Sequence, residues 1–504
     1  MSLLGLDIGT TGCKAIVFNE EGKELSRAYR EYPLSHPRPG WVEISPHLIW
    51  GKVREVLKEV NSDVRKDPVQ SLSISCQGEA VLPISKAGKE LYNFIITFDS
   101  RTQPQYKWWQ EKLDAKKLFS ITGMPLHPMY SINKIMWLKE NKSKIFQKTW
   151  KFLCVEDYII YRLSGEAATD YSLAARTMAF DVIRRDWSDK ILKHAGISRH
   201  LLPTVYPSGT GVGRVSKKVA KETGFINKVL VATGGHDQPC GALGAGIVRE
   251  GMAMNATGTS DVICPALRKP VLSDAMLKSN YCCYPHTYEN YYCSIGFNLT
   301  GGLLLRWYRD ALCYEEMEKA KRKGHDTYGI ILSEMSEEPQ DIFILPHFVG
   351  AGTPYLDPDS RGAILGLTLE TKKPHLARAV IDSINYEMKV NIDRMEESGI
   401  EIKELRAIGG GAKSEKWLQM KADVFGKPVV SLKISEAASL GTAILAGKAL
   451  GIFKSTKEAV KNLVKIKKVY EPNIKQHKRY QEKYKKYLRI YNVLKEFNKE
   501  LGNN

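Results

Sequence analysis

No apolar run in these 504 residues reaches the ~18 to 20 needed to span a bilayer. No basic region precedes the apolar start MSLLGLDIG, so a secretory leader is not expected either. Cysteine is sparse and unpatterned: nine residues, an odd number, with no CxxC and only Cys282-Cys283 adjacent. That excludes a disulfide framework and a zinc site as expectations, and a reducing, cytoplasmic setting fits. Two nucleotide signatures are missing as well. The glycine run Gly409-Gly410-Gly411 is not a GxGxxG followed by an acidic residue about twenty positions on, so a dinucleotide fold is disfavoured. Nor is it GxxxxGK[ST], which excludes a P-loop there. Hydrophobic residues at 43% and charged residues at 26% exclude a disordered chain, a collagen-like chain and a coiled-coil rod.

Acidic residues are in deficit, and the net charge is +18. Such a balance raises nucleic acid as a partner, but its distribution argues otherwise. Residues 451–504 hold fifteen Lys/Arg against five Asp/Glu, a net +10, which leaves +8 for the first 450 residues. The same stretch carries Tyr480, Tyr484, Tyr487, Leu488, Tyr491, Leu494 and Phe497 at roughly helical spacing. The pattern predicts a basic helix docked by an apolar-aromatic face on the body, over residues 453–504, without nucleic acid or membrane as partner.

The rest reads as strands alternating with helices. Leu3–Ile8, Lys14–Phe18 and Lys23–Tyr32 form a meander with turns at 9–12 and 19–22. Leu48–Val60 is an amphipathic helix, Val69–Ser75 a strand, Gln105–Phe119 a helix, and Lys228–Thr233 a strand ending in Gly-Gly. A second strand–turn–strand follows at Met252–Ala256 and Thr259–Cys264, then a long helix at Ala377–Met395 and a strand at Glu404–Ile408. The two halves share one grammar, which predicts two α/β domains, 1–248 and 249–452, with a cleft between them.

Chemistry-bearing residues collect at the strand ends. Asp7 closes the first strand, where a carboxylate can hold Mg²⁺. Gly9, Thr10, Thr11 and Gly12 offer backbone and hydroxyl donors to phosphate, and Lys14 a compact positive charge. Thr257-Gly258-Thr259-Ser260 is a second turn of that kind, placed to close on the same phosphates. Gly409-Gly410-Gly411-Ala412-Lys413-Ser414 lets an adenine or ribose lie against backbone and helix start. Asp237, after a buried strand, suits a general base toward a hydroxyl, with Gln238 beside it. His236 reads as a hydrogen-bonded structural residue. Gln77-Gly78-Glu79 and Asp99-Ser100-Arg101 bring amide, carboxylate and guanidinium groups that suit a polyhydroxylated substrate.

With these residues assembled, the chain resembles the FGGY family of carbohydrate kinases. Residues 129–141, MYSINKIMWLKEN, match its first signature, and Gly362–Leu367 with His375–Asp382 match the second. The resemblance runs from residue 3 to about 452. It implies two actin-like ATPase (ribonuclease H-like) domains with ATP and sugar in the interdomain cleft, and Mg²⁺-dependent transfer of the γ-phosphoryl to a sugar or polyol hydroxyl. On that resemblance Asp237 is the base and Asp7 lies near the metal. Thr10, Thr11, Lys14 and Thr259 hold phosphates, and Gly302, Gly411, Ser414 and Glu415 line the nucleotide site. Dimers and tetramers are common in the family, so a homodimer is a natural expectation.

Gln77-Gly78-Glu79 is similar to the Gln-Arg-Glu of glycerol kinases within that family. Gly78 stands where their substrate-binding Arg falls, and Met129 where their Tyr falls. Losing both is expected to open the pocket and disfavour glycerol. Xylulokinases are similar overall, and a ketose or sugar acid of five or six carbons, xylulose foremost, is the expected substrate. A non-enzymatic actin-like ATP switch or scaffold is the alternative. It predicts loss of the base or the metal carboxylate, and both Asp237 and Asp7 are present.

Overall fold

Leu3, Leu4, Leu6 and Ile8 are fully buried, so the opening strand has no solvent face and must lie inside a sheet. In the computed structural model, which describes residues 1–226 and 228–502, it is a central strand of a six-stranded sheet. The strands are β1 (Ser2–Ile8), β2 (Gly12–Phe18), β3 (Glu24–Glu31), β4 (Val69–Cys76), β5 (Gly211–Arg214) and β6 (Leu230–His236). Their order is β5-β6-β4-β1-β2-β3. The edge strand β3 alternates buried and exposed residues, one face on the core and one in water. Helix α1 (Pro46–Asp63) buries Ile49, Val53, Val56, Leu57 and Val60 at helical spacing, with Pro at its start where no amide partner is lost.

Between β4 and β6 lie helices α2 (Gln103–Lys112), α3 (Ala115–Thr122), α4 (Ser131–Asn141) and α5 (Tyr171–Arg176), and β6 runs directly into α6 (Asp237–Gly244). The sequence pattern suggests one helix over 105–119. The structure breaks it at Leu113, whose backbone is extended, and Asp114 caps the new start by accepting the Lys117 amide at 2.8 Å.

The second sheet repeats the first. It contains β7 (Gly251–Thr257), β8 (Asp261–Leu267), β9 (Tyr284–Pro285), β10 (Tyr292–Cys293), β11 (Gly296–Asn298), β12 (Ile402–Gly409), β13 (Val429–Leu432) and β14 (Ile466–Tyr470). Its order is β9-β10-β8-β7-β12-β13-β14, with β11 also on β8. In both sheets the first strand pairs antiparallel with the second and parallel with a later one, β1 with β4 and β7 with β12. The register sets Ile8 opposite Cys76 and Thr257 opposite Gly409. Each Gly/Thr turn therefore ends beside the loop after its parallel neighbour.

The second half supplies α7 (Gly301–Leu312), α8 (Lys373–Glu397), α9 (Glu415–Phe425), α10 (Ala437–Leu450), α11 (Ile474–Tyr487) and α12 (Ile490–Gly502). Helix α10 returns to the first sheet, packing on β1, β4 and β6 and on α6. Glycines allow the approach: a Cβ on Gly5 would stand 1.9 Å from the Ser439 carbonyl oxygen, and one on Gly244 1.8 Å from that of Ala437. The basic tail is docked, as its periodicity suggests, but its make-up differs. It contributes a short helix (Thr456–Leu463), then β14 at the sheet edge, then α11 and α12, with Asn473 capping α11 through the Lys475 and Gln476 amides.

Candidate active site

The carboxylate of Asp237 sits at the first turn of α6, half-buried, where β6 ends. Burial, then the charges of Asp7 and Glu79, push it up to about 7. Asp7 is also raised by burial, against the pull of a Ser75 hydrogen bond and of Lys14. Asp7, at the edge of the first Gly/Thr turn, suits a divalent cation that takes one protein carboxylate and keeps several waters. Among the described residues no group of three or more His, Cys, Asp or Glu side chains could hold a metal alone. Such a cation would depend on phosphate oxygens as further ligands.

The first turn is tied down from below. Thr10 Oγ1 donates to Gln77 Oε1 at 3.3 Å and Gln77 Nε2 to the Gly9 carbonyl at 3.4 Å. Gln77 is thus spent on the turn. Lys14 Nζ lies 2.5 Å from Glu436 Oε2, at the start of α10. The second turn is held by a buried lysine. Lys421 Nζ donates to Thr257 Oγ1 at 2.6 Å and to Asn255, and pairs with Asp261 at 3.3 Å. Thr259 is exposed, and its carbonyl accepts the Leu303 amide at 3.1 Å while that of Gly258 accepts Gly302 at 2.8 Å. A Cβ on Gly302 would meet the Gly258 oxygen at 2.5 Å, and one on Gly411 the Thr257 Cβ at 2.7 Å. Over Gly9, Gly258 and Gly410 a Cβ would meet nothing closer than 3.6 Å. Their open faces form a cradle along both turns and the glycine run, of the kind a nucleotide needs. Ser414 is spent capping α9 through the Trp417 amide at 3.2 Å, and exposed Glu415 pairs with Lys468 at 2.7 Å.

On the substrate side the structure revises the sequence expectation. Glu79 is buried with φ of +62°, a strained value for a non-glycine. It is held there by Lys134 Nζ and Ser131 Oγ, which donate to its carbonyl at 2.8 and 3.0 Å. Burial pushes its carboxyl up, but Arg176, with Lys134, holds it below the usual range. Arg176 pairs directly with Glu79, and its remaining donors face sulfur: Met124 at 3.7 Å, Cys282 at 3.6 Å and Met129 at 3.9 Å. A Cβ on Gly78 would lie 3.0 Å from the His236 ring and 3.6 Å from Arg176 Cγ. The space that glycine was expected to open is therefore filled, and a guanidinium stands beside Glu79 after all.

Asp99 and Arg101 form a closed buried network. Arg101 donates to Asp99 at 2.8 and 2.6 Å, pairs with Glu43 at 2.8 Å, and stacks over Trp41 at 3.8 Å. Their polar capacity is spent inside the wall. His127, half-buried near Glu79, Arg176 and Lys134, is pushed down to about 4 by burial and stays neutral.

Sequence reasoning missed Arg176, Lys134, Lys421 and His127. The first two carry a signal: each is a lone cation in an apolar run (Leu173–Phe180 and Ile132–Leu138), and a buried cation demands a partner.

Two sheets of one topology, joined by α6 and α10 with a Gly/Thr turn on each, define an actin-like ATPase. The chain belongs to the FGGY family of carbohydrate kinases: residues 2–244 match the family's N-terminal domain and 253–450 its C-terminal domain. It is thus a phosphotransferase acting on sugars or polyols, in a family whose co-substrate is ATP. It is 29% identical over 501 residues to a xylulose kinase of Bacillus subtilis, covering 99% of this chain and 98% of that one. It is 33% identical over 495 residues to a glycerol kinase of Geobacillus, covering 95% and 96%. A solved gluconate kinase from Lactobacillus acidophilus superposes with a TM-score of 0.88 at 26% identity, covering 98% of each chain. No helix among the described residues is long and apolar enough to cross a membrane.

Proposed function

We propose that the chain transfers the γ-phosphoryl of Mg-ATP to a hydroxyl of a neutral polyhydroxylated substrate, a xylulose-type ketose foremost, with Asp237 as general base. One observation carries this reading: a half-buried carboxylate, pushed up to about 7, at the junction of the two halves. A base with that affinity takes a hydroxyl proton near neutrality. Thr10, Thr11, Lys14 and Thr259 would hold the phosphates, with Gly302, Gly411 and the start of α9 against the nucleoside. Mg²⁺, held by Asp7, would supply charge neutralisation on the phosphates. In the transfer the substrate O–H would give its proton to Asp237 while its oxygen bonds the γ-phosphorus, and the bond from that phosphorus to the β,γ-bridging oxygen breaks, its electron pair leaving with ADP.

The neutral substrate follows from charge. Arg176 is neutralised by Glu79, His127 and His236 are uncharged, and Lys134 is fully buried with its ammonium on the Glu79 carbonyl. No cation among these is left to pair with a sugar acid, which argues against the acid half of the sequence expectation. Glu79, Met129 and Gln238 would meet the substrate, and Asp99 and Arg101 would shape the wall. Boundaries near 248 and 452 are consistent with β7 beginning at Gly251, although α10 belongs to the packing of the first sheet.

Glycerol is the second reading, favoured by the guanidinium that Arg176 sets beside Glu79. The test is ADP production with Mg-ATP over xylulose, ribulose, fuculose, erythritol, glycerol and gluconate, with Asp237→Asn as blank. Preference for xylulose supports the first reading, preference for glycerol the second, and preference for gluconate overturns the charge argument.

A further inference from the structure

Asp237 Oδ1 is buried and makes no well-aligned hydrogen bond of its own, an arrangement that calls for a donor within reach. Nε2 of His236 lies 3.2 Å away. The other ring nitrogen, Nδ1, lies 2.9 Å from the hydroxyl of Tyr284. His236 and Asp237 straddle the end of β6 and the start of α6, whereas Tyr284 belongs to β9, paired with β10 in the second sheet. From these contacts we infer that Tyr284 and His236 form a positioning pair, reaching from the second sheet to the first, that fixes which oxygen of Asp237 faces the substrate. The inference rests on the reading of Asp237 as base.

The proton assignments leave one arrangement. The ring is neutral, because burial and then Arg176 push it down to about 3, so one nitrogen donates and the other accepts. An ionised carboxylate only accepts. Nε2 must therefore carry the hydrogen and point it at Oδ1. Nδ1 must then accept, and the Tyr284 hydroxyl must donate. A modest rotation of the carboxylate brings the 3.2 Å contact into line, as catalytic hydrogen bonds do on substrate binding. Oδ1 is then occupied, and Oδ2, on the side that the side chain and backbone of Gln238 also hydrogen-bond, takes the substrate proton. No proton moves along the chain, and the Nε2–H bond to Oδ1 persists after the transfer.

The ring has little freedom to do otherwise. Its backbone amide donates to Ser172 Oγ at 2.9 Å, and a Cβ on Gly78 would already stand 3.0 Å from the ring. Arg176, Glu79 and the adjoining Asp237 are the charged groups facing the ring, and Asp7 and Glu79 those acting on the Asp237 carboxylate.

The experiment compares Tyr284→Phe, His236→Gln and His236→Leu with the parent in the full chain, using the best substrate of the panel and Mg-ATP. Tyr284→Phe keeps the ring and deletes only the hydroxyl. Its kcat is expected to fall about tenfold or more, as misplaced catalytic groups do, with KM for ATP and for the sugar within twofold of the parent. His236→Gln, which retains an N–H donor, is expected to keep more turnover than His236→Leu. In an Asp237→Asn background, Tyr284→Phe should have no further effect on kcat. If Asp237→Asn is inactive while Tyr284→Phe turns over at the parent rate, the base stands and the positioning pair is overturned. A Tyr284→Phe that changes kcat and both KM values together would make the tyrosine a packing residue and also overturn it. An active Asp237→Asn would remove the base reading, and the pair with it.

Discussion

Lys14 Nζ and Glu436 Oε2 lie 2.5 Å apart, joining the strand after the first Gly/Thr turn to the segment that leads into α10. Both are about a quarter exposed, so the pair itself contributes little, roughly 0.2–1 kcal/mol. Its consequence is competition: a bound phosphate and Glu436 want the same ammonium. Lys14→Met is expected to raise KM for ATP about tenfold or more, at the cost of one charge-assisted contact. Glu436→Gln should leave it unchanged or lower it. Isothermal titration with a non-hydrolysable ATP analogue checks the opposite signs, and equal weakening in both variants would sink the competition.

The pH profile carries the second prediction. Asp237 works only when deprotonated, and its affinity is raised to about 7 by burial and by Asp7 and Glu79. Activity is therefore present above that value and lost as pH falls through it. For the free enzyme kcat/KM should drop about tenfold per unit on the acid side, far above the range of an ordinary Asp near 4. An acid limb centred near 4 would mean that the base is another group or that its environment is more polar.

Arg176 and Glu79 make the third. Breaking a buried ion pair by removing one partner leaves the other charge uncompensated and costs about 3–5 kcal/mol. Arg176→Met should be destabilised by that order in a urea titration, and Glu79→Gln/Arg176→Met should recover a large part of it. A double variant no better than the single would show that packing against Met124, Met129 and Cys282, and not charge, holds Arg176.

The same geometry reverses an expectation from sequence. An Arg at position 78 looked like the missing glycerol contact, yet its Cβ would begin 3.0 Å from His236. Gly78→Arg is expected to lose about 1–3 kcal/mol through overpacking and to gain nothing on glycerol. Thermal melts and turnover on glycerol, read together, check both halves. A gain on glycerol would restore the open-pocket argument.

What could be read from sequence, and what could not, follows from the distance between partners. The two turns, Asp7, Asp237 and the glycine run stand out because each is a local pattern: an apolar strand, then glycine and threonine with a carboxylate at the edge. Arg176 acts through Glu79, 97 residues away, and Lys421 through Thr257, 164 residues away. Neither pairing leaves a periodic trace. The same limit applies to Asp99 and Arg101, whose strand-end position is legible but whose contacts with Glu43 and Trp41 come only with the fold.

The tail is the last case, because its charge and its aromatics point to different roles. Four of its tyrosines reach carboxylates on the body: Tyr480 to Asp382 at 2.9 Å, Tyr484 to Asp393 at 2.9 Å, Tyr487 to Glu387 at 2.5 Å and Tyr491 to Asp357 at 2.9 Å. Three of those acids lie on α8, and Tyr491 also stacks on Tyr355 with centroids 3.9 Å apart. Basic residues answer acids as well, Arg479 to Glu338 at 2.5 Å and Lys483 to Asp341 at 2.7 Å. Removing α11 and α12 would uncover Tyr386, which is 3% exposed, and strip a hydroxyl donor from buried Glu387, a penalty of about 1–3 kcal/mol for that group alone. Ending the chain after Tyr470 should therefore give an insoluble protein or one with a markedly lower melting temperature. Tyr487→Phe in the full chain should show a smaller loss of the same kind. A nucleic-acid tail behaves differently: the shortened chain would fold and keep its melting temperature, and the full chain would bind DNA or RNA with an affinity that falls steeply with salt. That pair of results would overturn the docked reading.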